Sequence, residues 1–207
     1  MKSISAVLAF FLFTGLLGAL PQEAKNASPI GVGEVVPSVT VQTIDGESRN
    51  LASLTAGQPS VLIFYRGSWC PYCNRHLAAL AGVENDLEKL GYRILAISPD
   101  MPAGLREAAT KNALGYTLLS DSSANAIKAF GLAFKVDPKT RKMYAKHGID
   151  LQKASGNDHY ILPVPAVYLV DKDGRIQFQY SNPDYSIRLS AKDLMKAASD
   201  LTGVGPN

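Results

Sequence analysis

With 207 residues, 46% of them hydrophobic and 19% charged, the chain suits one domain with a sizeable core rather than two. Its formal net charge is only +3. No long run of Lys and Arg marks a nucleic-acid arm, so the charge is read as serving solubility and no nucleic acid is expected as a partner.

The N-terminus differs from the rest. Met1-Lys2 precedes an apolar run from about Ala6 to Leu20, the layout of a secretory signal peptide. The run is somewhat short of the roughly 20 apolar residues of a membrane-spanning helix. Residues 1–24 are therefore expected to be a signal peptide cut near Ala19 or Ala24. An uncleaved membrane anchor through residues 6–20 is the alternative. The protein is expected to be exported, to a periplasmic or extracellular location. No Cys follows the run, so a lipid anchor is not indicated. Residues 25–32 read as a polar linker, and 33–207 as the folded domain.

Along that domain, Val35 to Gln42 alternates like a short strand, and Asp45-Gly46 marks a turn. Leu51 to Leu54 reads as a helical turn. Val61-Leu62-Ile63-Phe64-Tyr65 is a continuous apolar run, as in a strand covered on both faces. A long helix is expected from about Cys73 to Leu90, ended by Gly91. Tyr92 to Ser98 reads as a second buried strand, 103–112 as helix, Thr117 to Ser120 as a strand and Ala124 to Phe130 as helix. Leu132 to Leu162 reads as irregular and polar, holding Phe134, Tyr144, His147, His159 and Tyr160; it is a candidate lid or, more simply, packing over a sheet edge. Ala166 to Val170 and Ile176 to Tyr180, joined by a tight turn, read as an antiparallel pair, and Ala191 to Leu201 as a closing helix. Strands alternating with helices, then a hairpin and a helix, give an α/β fold with a mixed central sheet flanked by helices.

The chain has two cysteines, Cys70 and Cys73, in the segment Trp69-Cys70-Pro71-Tyr72-Cys73. A bond between them would close almost no loop, so its value is chemical rather than structural. The order strand, Cys-x-x-Cys, helix puts Cys70 at a helix N-terminus, where unpaired N–H groups and the helix dipole favour a thiolate. Pro71 at an early helical position costs little. On this reading Cys70 attacks and Cys73 resolves the mixed disulfide. A zinc half-site is the competing use of Cys-x-x-Cys, with His76, His147 or His159 as further ligands; the strand-before, helix-after context favours redox chemistry. No cofactor and no metal are expected, and His76 is expected on the helix surface.

The stretch Phe64-Tyr65-Arg66-Gly67-Ser68-Trp69-Cys70-Pro71-Tyr72-Cys73-Asn74 resembles the peroxiredoxin-like branch of the alkyl hydroperoxide reductase and thiol-specific antioxidant family. The likeness extends from about Gly33 to Leu201. It includes the Val-Pro and Asp-Gly hairpin before Leu51, Ser120-Asp121 through Ala129-Phe130-Gly131-Leu132, and Pro163-Val164-Pro165-Ala166-Val167-Tyr168-Leu169-Val170-Asp171-Lys172-Asp173-Gly174. It implies a thioredoxin-like fold with a peroxiredoxin-type N-terminal extension and insert. The family's peroxide loop reads Pro-x-x-x-Thr-x-x-Cys. Aligned here, its attacking Cys falls on Cys73, its Thr on Cys70 and its Pro on Arg66. Its Arg before the late strand falls near Pro165, while Arg188 resembles a second family Arg. Trp69 and the Cys-Pro-Tyr-Cys sequence resemble thioredoxin and glutaredoxin sites instead, and Pro165 resembles the cis-proline that faces such a pair.

If Ala166 to Val170 runs antiparallel to Val61 to Tyr65, then Pro165 and the loop Ser181 to Arg188 reach the same end of the sheet as the cysteines. Arg66 and Arg188 then become candidates to stabilise a thiolate or bind an anion. The leading expectation is an exported thiol–disulfide oxidoreductase working through Cys70 and Cys73, supported by Trp69, Pro71, Tyr72, Pro165, Arg66 and Arg188. The alternative is a thiol-dependent peroxidase, an antioxidant enzyme that reduces hydroperoxides. A non-enzymatic thioredoxin-fold binding protein is the third reading. The partners implied are protein or small-molecule thiols and disulfides, hydroperoxides, and an electron donor the sequence does not identify. A homodimer is allowed by the resemblance, though no residue marks an interface.

Overall fold

The structure is a computed structural model and describes residues 19–112 and 114–203. The apolar run up to residue 18, and with it most of the expected signal segment, lies outside the described residues. None of the described helices is long and apolar enough to cross a membrane.

The chain runs β1 (Thr40–Thr43), β2 (Ser48–Asn50), α1 (Leu51–Thr55), β3 (Ser60–Phe64), α2 (Pro71–Ala81), α3 (Glu84–Lys89), β4 (Arg93–Ser98), α4 (Pro102–Asn112) and β5 (Thr117–Ser120). It continues through α5 (Asn125–Ala129), β6 (Ala133–Lys135), α6 (Pro138–Lys146), α7 (Leu151–Ser155), β7 (Ile161–Pro163), β8 (Ala166–Val170), β9 (Ile176–Ser181) and α8 (Ala191–Thr202). Seven strands form one mixed sheet in the order β2-β1-β5-β4-β3-β8-β9, the thioredoxin-like arrangement expected. The central strand β3 is parallel to β4, with Phe64 opposite Ile97, and antiparallel to β8, with Phe64 opposite Ala166.

Both faces of β3 are buried because residues of period two feed two cores. Leu62 and Phe64 join Tyr168, Phe130 and Leu51 on one side; the Phe64 ring lies 4.6 Å from that of Phe130. Val61, Ile63 and Tyr65 join Leu77, Leu80, Leu87, Leu194 and the two cysteines on the other. Each such Leu, Ile or Phe removed from water contributes about 1.5–3 kcal/mol. The helix bearing Cys73 is therefore clamped to the strand that precedes it.

Several elements differ from the sequence reading. The long helix is two helices: α2 ends at Gly82, a weak helix former, and Val83 (φ −117°, ψ 8°) turns the chain into α3. The first strand starts only at Thr40, because Pro37 supplies no N–H to a ladder; Val35 keeps a single bridge to Arg175. The stretch expected as an irregular loop is an ordered insert. β6 and β7 pair with Phe134 opposite Leu162, and α6 and α7 lie between them. Asp137 caps α6 through the N–H groups of Lys139 (2.8 Å) and Thr140 (3.0 Å), with Pro138 in its first turn, and Asp150 caps α7 through Lys153 N–H (3.0 Å). The insert has a small core of its own, Val136, Leu151 and Leu162, against which Trp69, Tyr144 and Tyr160 pack.

The segment expected as a linker is packed: Ala27 and Ile30 lie against the first core, and Ile30 N–H donates to Phe130 O at 3.0 Å. Leu20 and Ala24, from the end of the expected signal segment, lie against the same core. Gly131 lies so close beneath Ser28 that a Cβ there would sit 1.9 Å from its carbonyl oxygen. The apolar residues of this stretch follow no helical or strand period, so the sequence shows only its polar share. Finally, no cis peptide bond occurs among the described residues, so Pro165 is trans and the cis-proline expectation is corrected. Val164 N–H donates to Leu132 O (2.8 Å) and Asn182 N–H to Pro165 O (3.2 Å). Both sides of Pro165 are thus tied to the chain's own backbone.

Candidate active site

β3 delivers the chain to the cysteines. Tyr65 still pairs with β4, its N–H donating to Ile97 O at 3.0 Å; then Arg66 to Trp69 form a tight loop and Cys70 becomes the residue capping α2. The loop depends on Gly67, whose φ is +147°. A Cβ there would lie 2.3 Å from Trp69 Nε1 and 2.9 Å from Asp100 Oδ1. Asp100, just past β4, holds the loop from behind: Oδ2 accepts from Ser68 N–H (2.6 Å) and from Ser98 Oγ (3.1 Å). Asn74 Nδ2 donates to Ser68 O at 2.9 Å.

Cys70 and Cys73 are both free thiols and both buried, at 1% and 0% exposure. Their acidities diverge. The Cys70 pKa is lowered to about 6: a hydrogen bond from the Cys73 thiol and another from the Cys73 backbone N–H stabilise the thiolate, with the charges of Arg66 and Arg188 adding to them against the cost of burial. The Cys73 pKa is raised, because its proton is shared with Cys70 and because it is buried.

Two guanidinium groups flank the pair. Arg66 Nη1 lies 4.0 Å from Cys70 Sγ, a separation at which charge matters more than hydrogen bonding. Arg188 Nη2 lies 3.4 Å from Cys73 Sγ. Arg66 is 3% exposed. Its guanidinium donates to the Tyr144 hydroxyl from α6 and lies 3.9 Å from the Tyr185 ring centroid, 5.1 Å from Trp69 and 5.6 Å from Tyr144. These rings hold the cation by their negative faces. Tyr185 in turn meets Tyr72 edge-on at 5.6 Å. The site is thus roofed by the insert and walled by the loop after β9.

The antiparallel β3–β8 pairing brings together what the sequence analysis grouped: Cys70, Cys73, Trp69, Pro71, Tyr72, Arg66 and Arg188. Pro165 precedes β8 at the same sheet end. His76 departs from expectation. It is buried rather than on the helix surface, its Nε2 3.0 Å from Leu189 O; burial and the Arg188 charge lower its pKa to about 4.

Sequence reasoning passed over Asp100 and Tyr185. Asp100 is buried and its pKa is raised to about 6, by burial first, with the Ser68 and Ser98 hydrogen bonds opposing. A signal existed: Ser98-Pro99-Asp100 follows the strand parallel to β3, so it ends where the cysteine loop begins.

Residues 32–179 match the family model of the AhpC/TSA family. Peroxiredoxin Bcp of Escherichia coli K12 is 32% identical over 105 residues, which span 51% of this chain and 67% of that protein. The chloroplastic peroxiredoxin Q of Gentiana triflora is 28% identical over 171 residues, 81% of this chain and 68% of that one. In fold, the chain is similar to Peroxidoxin BcpB from Mycobacterium tuberculosis (TM-score 0.63, 19% identity, 86% of this chain and 99% of that chain). It is similar also to peroxiredoxin Q from Xanthomonas campestris (TM-score 0.63, 16% identity, 83% and 98%). With a fold, a Cys-bearing helix N-terminus and a family model in agreement over most of its length, the chain belongs to the AhpC/TSA family.

Proposed function

We propose that this protein is a thiol oxidoreductase acting as a thiol-dependent peroxidase, with Cys70 as the attacking sulfur. The observation that carries the assignment of Cys70 is its place as the residue capping the N-terminus of α2, with Arg66 Nη1 4.0 Å from its Sγ; that setting favours a thiolate at Cys70, while burial favours the thiol at Cys73. The Cys70 thiolate attacks the terminal peroxide oxygen; the S–O bond forms, the O–O bond breaks and the alkoxide leaves as alcohol after taking a proton. Cys73 then attacks the Cys70 sulfenic acid, forming the disulfide and releasing water. External thiols return the pair to its reduced state. Arg66 stands where the family pattern has Pro, and its guanidinium would offset charge on the departing oxygen. Membership of the peroxiredoxin-bearing family supports peroxide as substrate over the disulfide exchange that the thioredoxin-like order first favoured.

A second assignment makes Cys73 the attacking sulfur. It is favoured by its alignment with the family pattern and by Arg188 at 3.4 Å. Single-turnover peroxide consumption by Cys70→Ser and Cys73→Ser separates the two. On our reading Cys73→Ser consumes one equivalent and stops at a sulfenic acid, while Cys70→Ser consumes none; the reverse pattern installs Cys73. If neither variant consumes peroxide but wild type reduces a protein disulfide through Cys70, disulfide exchange replaces the peroxidase reading.

We also place the protein outside the cytoplasm, from Met1-Lys2 and the apolar run to Leu20. Cell fractionation with N-terminal sequencing of the recovered protein tests this, and an intact Met1 on a cytoplasmic protein would overturn it.

A further inference from the structure

The insert carries the net charge of the whole chain. Of the 21 Lys and Arg and 18 Asp and Glu, residues 132–162 hold six and three; the rest of the chain, with fifteen of each, is neutral. Two of the three insert carboxylates are committed to backbone N–H groups, Asp137 at the cap of α6 and Asp150 at the cap of α7. The cations gather on α6. Lys139, Lys142 and Lys146 stand at i, i+3 and i+7 and form one exposed stripe, with Met143 beside them at 49% exposure. None of the three pairs with a carboxylate among the described residues. Like charges at such spacings destabilise a helix, and Lys139 sits in the first turn, where the helix dipole disfavours a cation. The stripe gains nothing from the cysteine site either. The helix meets that site with its other side, through Tyr144, so the lysines face away from it.

A second observation lies at the edge of the same insert. The apolar run from Ala6 to Leu20 leads into the fold at Pro21, and Pro21 O accepts from the N–H of Lys135, the last residue of β6, at 2.8 Å. Lys139 follows four residues later, no more than about 14 Å along the chain. An apolar segment and an unpaired basic helix thus meet at one corner of the molecule.

We propose that the outer face of α6 docks on an anionic lipid surface, with Lys139, Lys142 and Lys146 against headgroup phosphates and Met143 among them at the acyl boundary. An apolar segment and a basic patch are the two signals that stable attachment to a bilayer takes, where one alone is marginal. An acidic protein would match the lysines but would leave the apolar run beside them without a role. Docked this way, α6 keeps Tyr144 on the side away from the lipid, so the contact that holds Arg66 over Cys70 is undisturbed.

Cosedimentation of the full chain with vesicles tests this, using phosphatidylcholine alone and phosphatidylcholine mixed with phosphatidylglycerol. Wild type is expected to bind the anionic vesicles about tenfold more tightly than the neutral ones at low salt, an advantage that high salt erases. Lys139→Gln/Lys142→Gln/Lys146→Gln is expected to bind both vesicles alike, with the wild-type affinity for the neutral ones. Lys89→Gln/Lys172→Gln/Lys196→Gln removes the same charge from lysines that are ion-paired elsewhere, and it should keep the preference. Circular dichroism reports whether each variant folds; if the insert triple does not, the three single Lys→Gln variants should each weaken anionic binding about twofold. Equal wild-type affinity for the two vesicles, a preference untouched by the insert variants, or an equal loss in the control triple would overturn the proposal. Binding to poly-glutamate that the insert triple loses, without any lipid preference, would also overturn it and give the stripe to an acidic protein. No peroxide or thiol enters the assay, so its failure leaves the peroxidase reading where it stands.

Discussion

Arg66 and Tyr144, 78 positions apart in sequence, meet above Cys70: the guanidinium donates to the Tyr144 hydroxyl through Nη2 while Nη1 lies 4.0 Å from Cys70 Sγ. The insert thereby fixes a charge that the β3 loop carries. Tyr144→Phe keeps the ring tilted against Trp69 and removes only the hydroxyl. Arg66 then loses its anchor, and the Cys70 thiolate loses part of its stabilisation. Near pH 6 the rate of Cys70 alkylation is expected to fall about threefold, the consequence of losing one hydrogen bond worth under ~1 kcal/mol, with unfolding nearly unchanged. An alkylation profile identical to wild type would show that the Tyr144 hydroxyl does not act on Cys70.

The same divided acidity fixes a pH profile. Attack requires the thiolate, and the Cys70 pKa lies at about 6. Single-turnover peroxide consumption is therefore expected to be flat at neutral pH and to fall as pH drops through about 6. Arg66→Gln removes a positive charge beside the sulfur, so the midpoint moves upward and the profile slopes at neutral pH. If Cys73 is the attacking sulfur, whose pKa its shared proton with Cys70 and its burial push above that of an ordinary thiol, the rate keeps climbing into alkaline pH instead. Stopped-flow measurement of the first turnover distinguishes the two shapes.

How far these residues were legible in the sequence depends on what holds them. Val61 to Tyr65 and Ala166 to Val170 are unbroken apolar runs bounded by turn residues, and burial on both faces leaves few other readings. Once their antiparallel pairing was assumed, Arg188 followed at the cysteine end, and it lies against Cys73. The insert was obscured because α6 is polar on most of its surface and its core is three residues, so periodicity was faint. The caps Asp137-Pro138 and Asp150 were the readable signal there. Asp100 was harder: its place behind Cys70 depends on the parallel register of Phe64 with Ile97, which no local pattern states. His76 is expected on the helix surface as a polar residue, but its burial comes from the segment before α8, whose Leu189 carbonyl pairs with its Nε2, a partner 113 positions away that no local pattern states.

Asp100 also makes stability depend on pH. Its pKa is raised from 3.8 to about 6, so the folded state favours the protonated carboxyl. That contribution is fully present below the unfolded value and is lost as pH rises to about 6. Asp100→Asn mimics the neutral form and can still accept from Ser68 N–H and Ser98 Oγ through its carbonyl. At neutral pH the variant is expected to be more stable than wild type by up to ~2 kcal/mol, allowing for its amide meeting the space of an unpartnered oxygen. The gain should shrink toward zero as pH falls below 4. Denaturant unfolding at both pH values measures it, and a difference independent of pH would remove Asp100 as its source.

Gly67 ties backbone to chemistry most directly. At φ +147° an L side chain is strained, and the added Cβ of Gly67→Ala would meet the Trp69 ring at 2.3 Å and Asp100 Oδ1 at 2.9 Å. The ring is held by the insert and the carboxylate by Ser68 and Ser98, so neither is a free end that can swing away. The loop must move instead, and Cys70 moves with it, because Cys70 N–H is bonded to Gly67 O at 3.1 Å. Two losses should therefore appear together. Unfolding should become easier by about 2–3 kcal/mol, and the Cys70 alkylation midpoint should rise as the sulfur leaves Arg66 and Cys73. Trp69, the only tryptophan of the chain, reports the displacement through its fluorescence. A variant with wild-type emission and wild-type thiol acidity would mean that the loop geometry, and not merely its glycine, is dispensable for holding Cys70 as a thiolate.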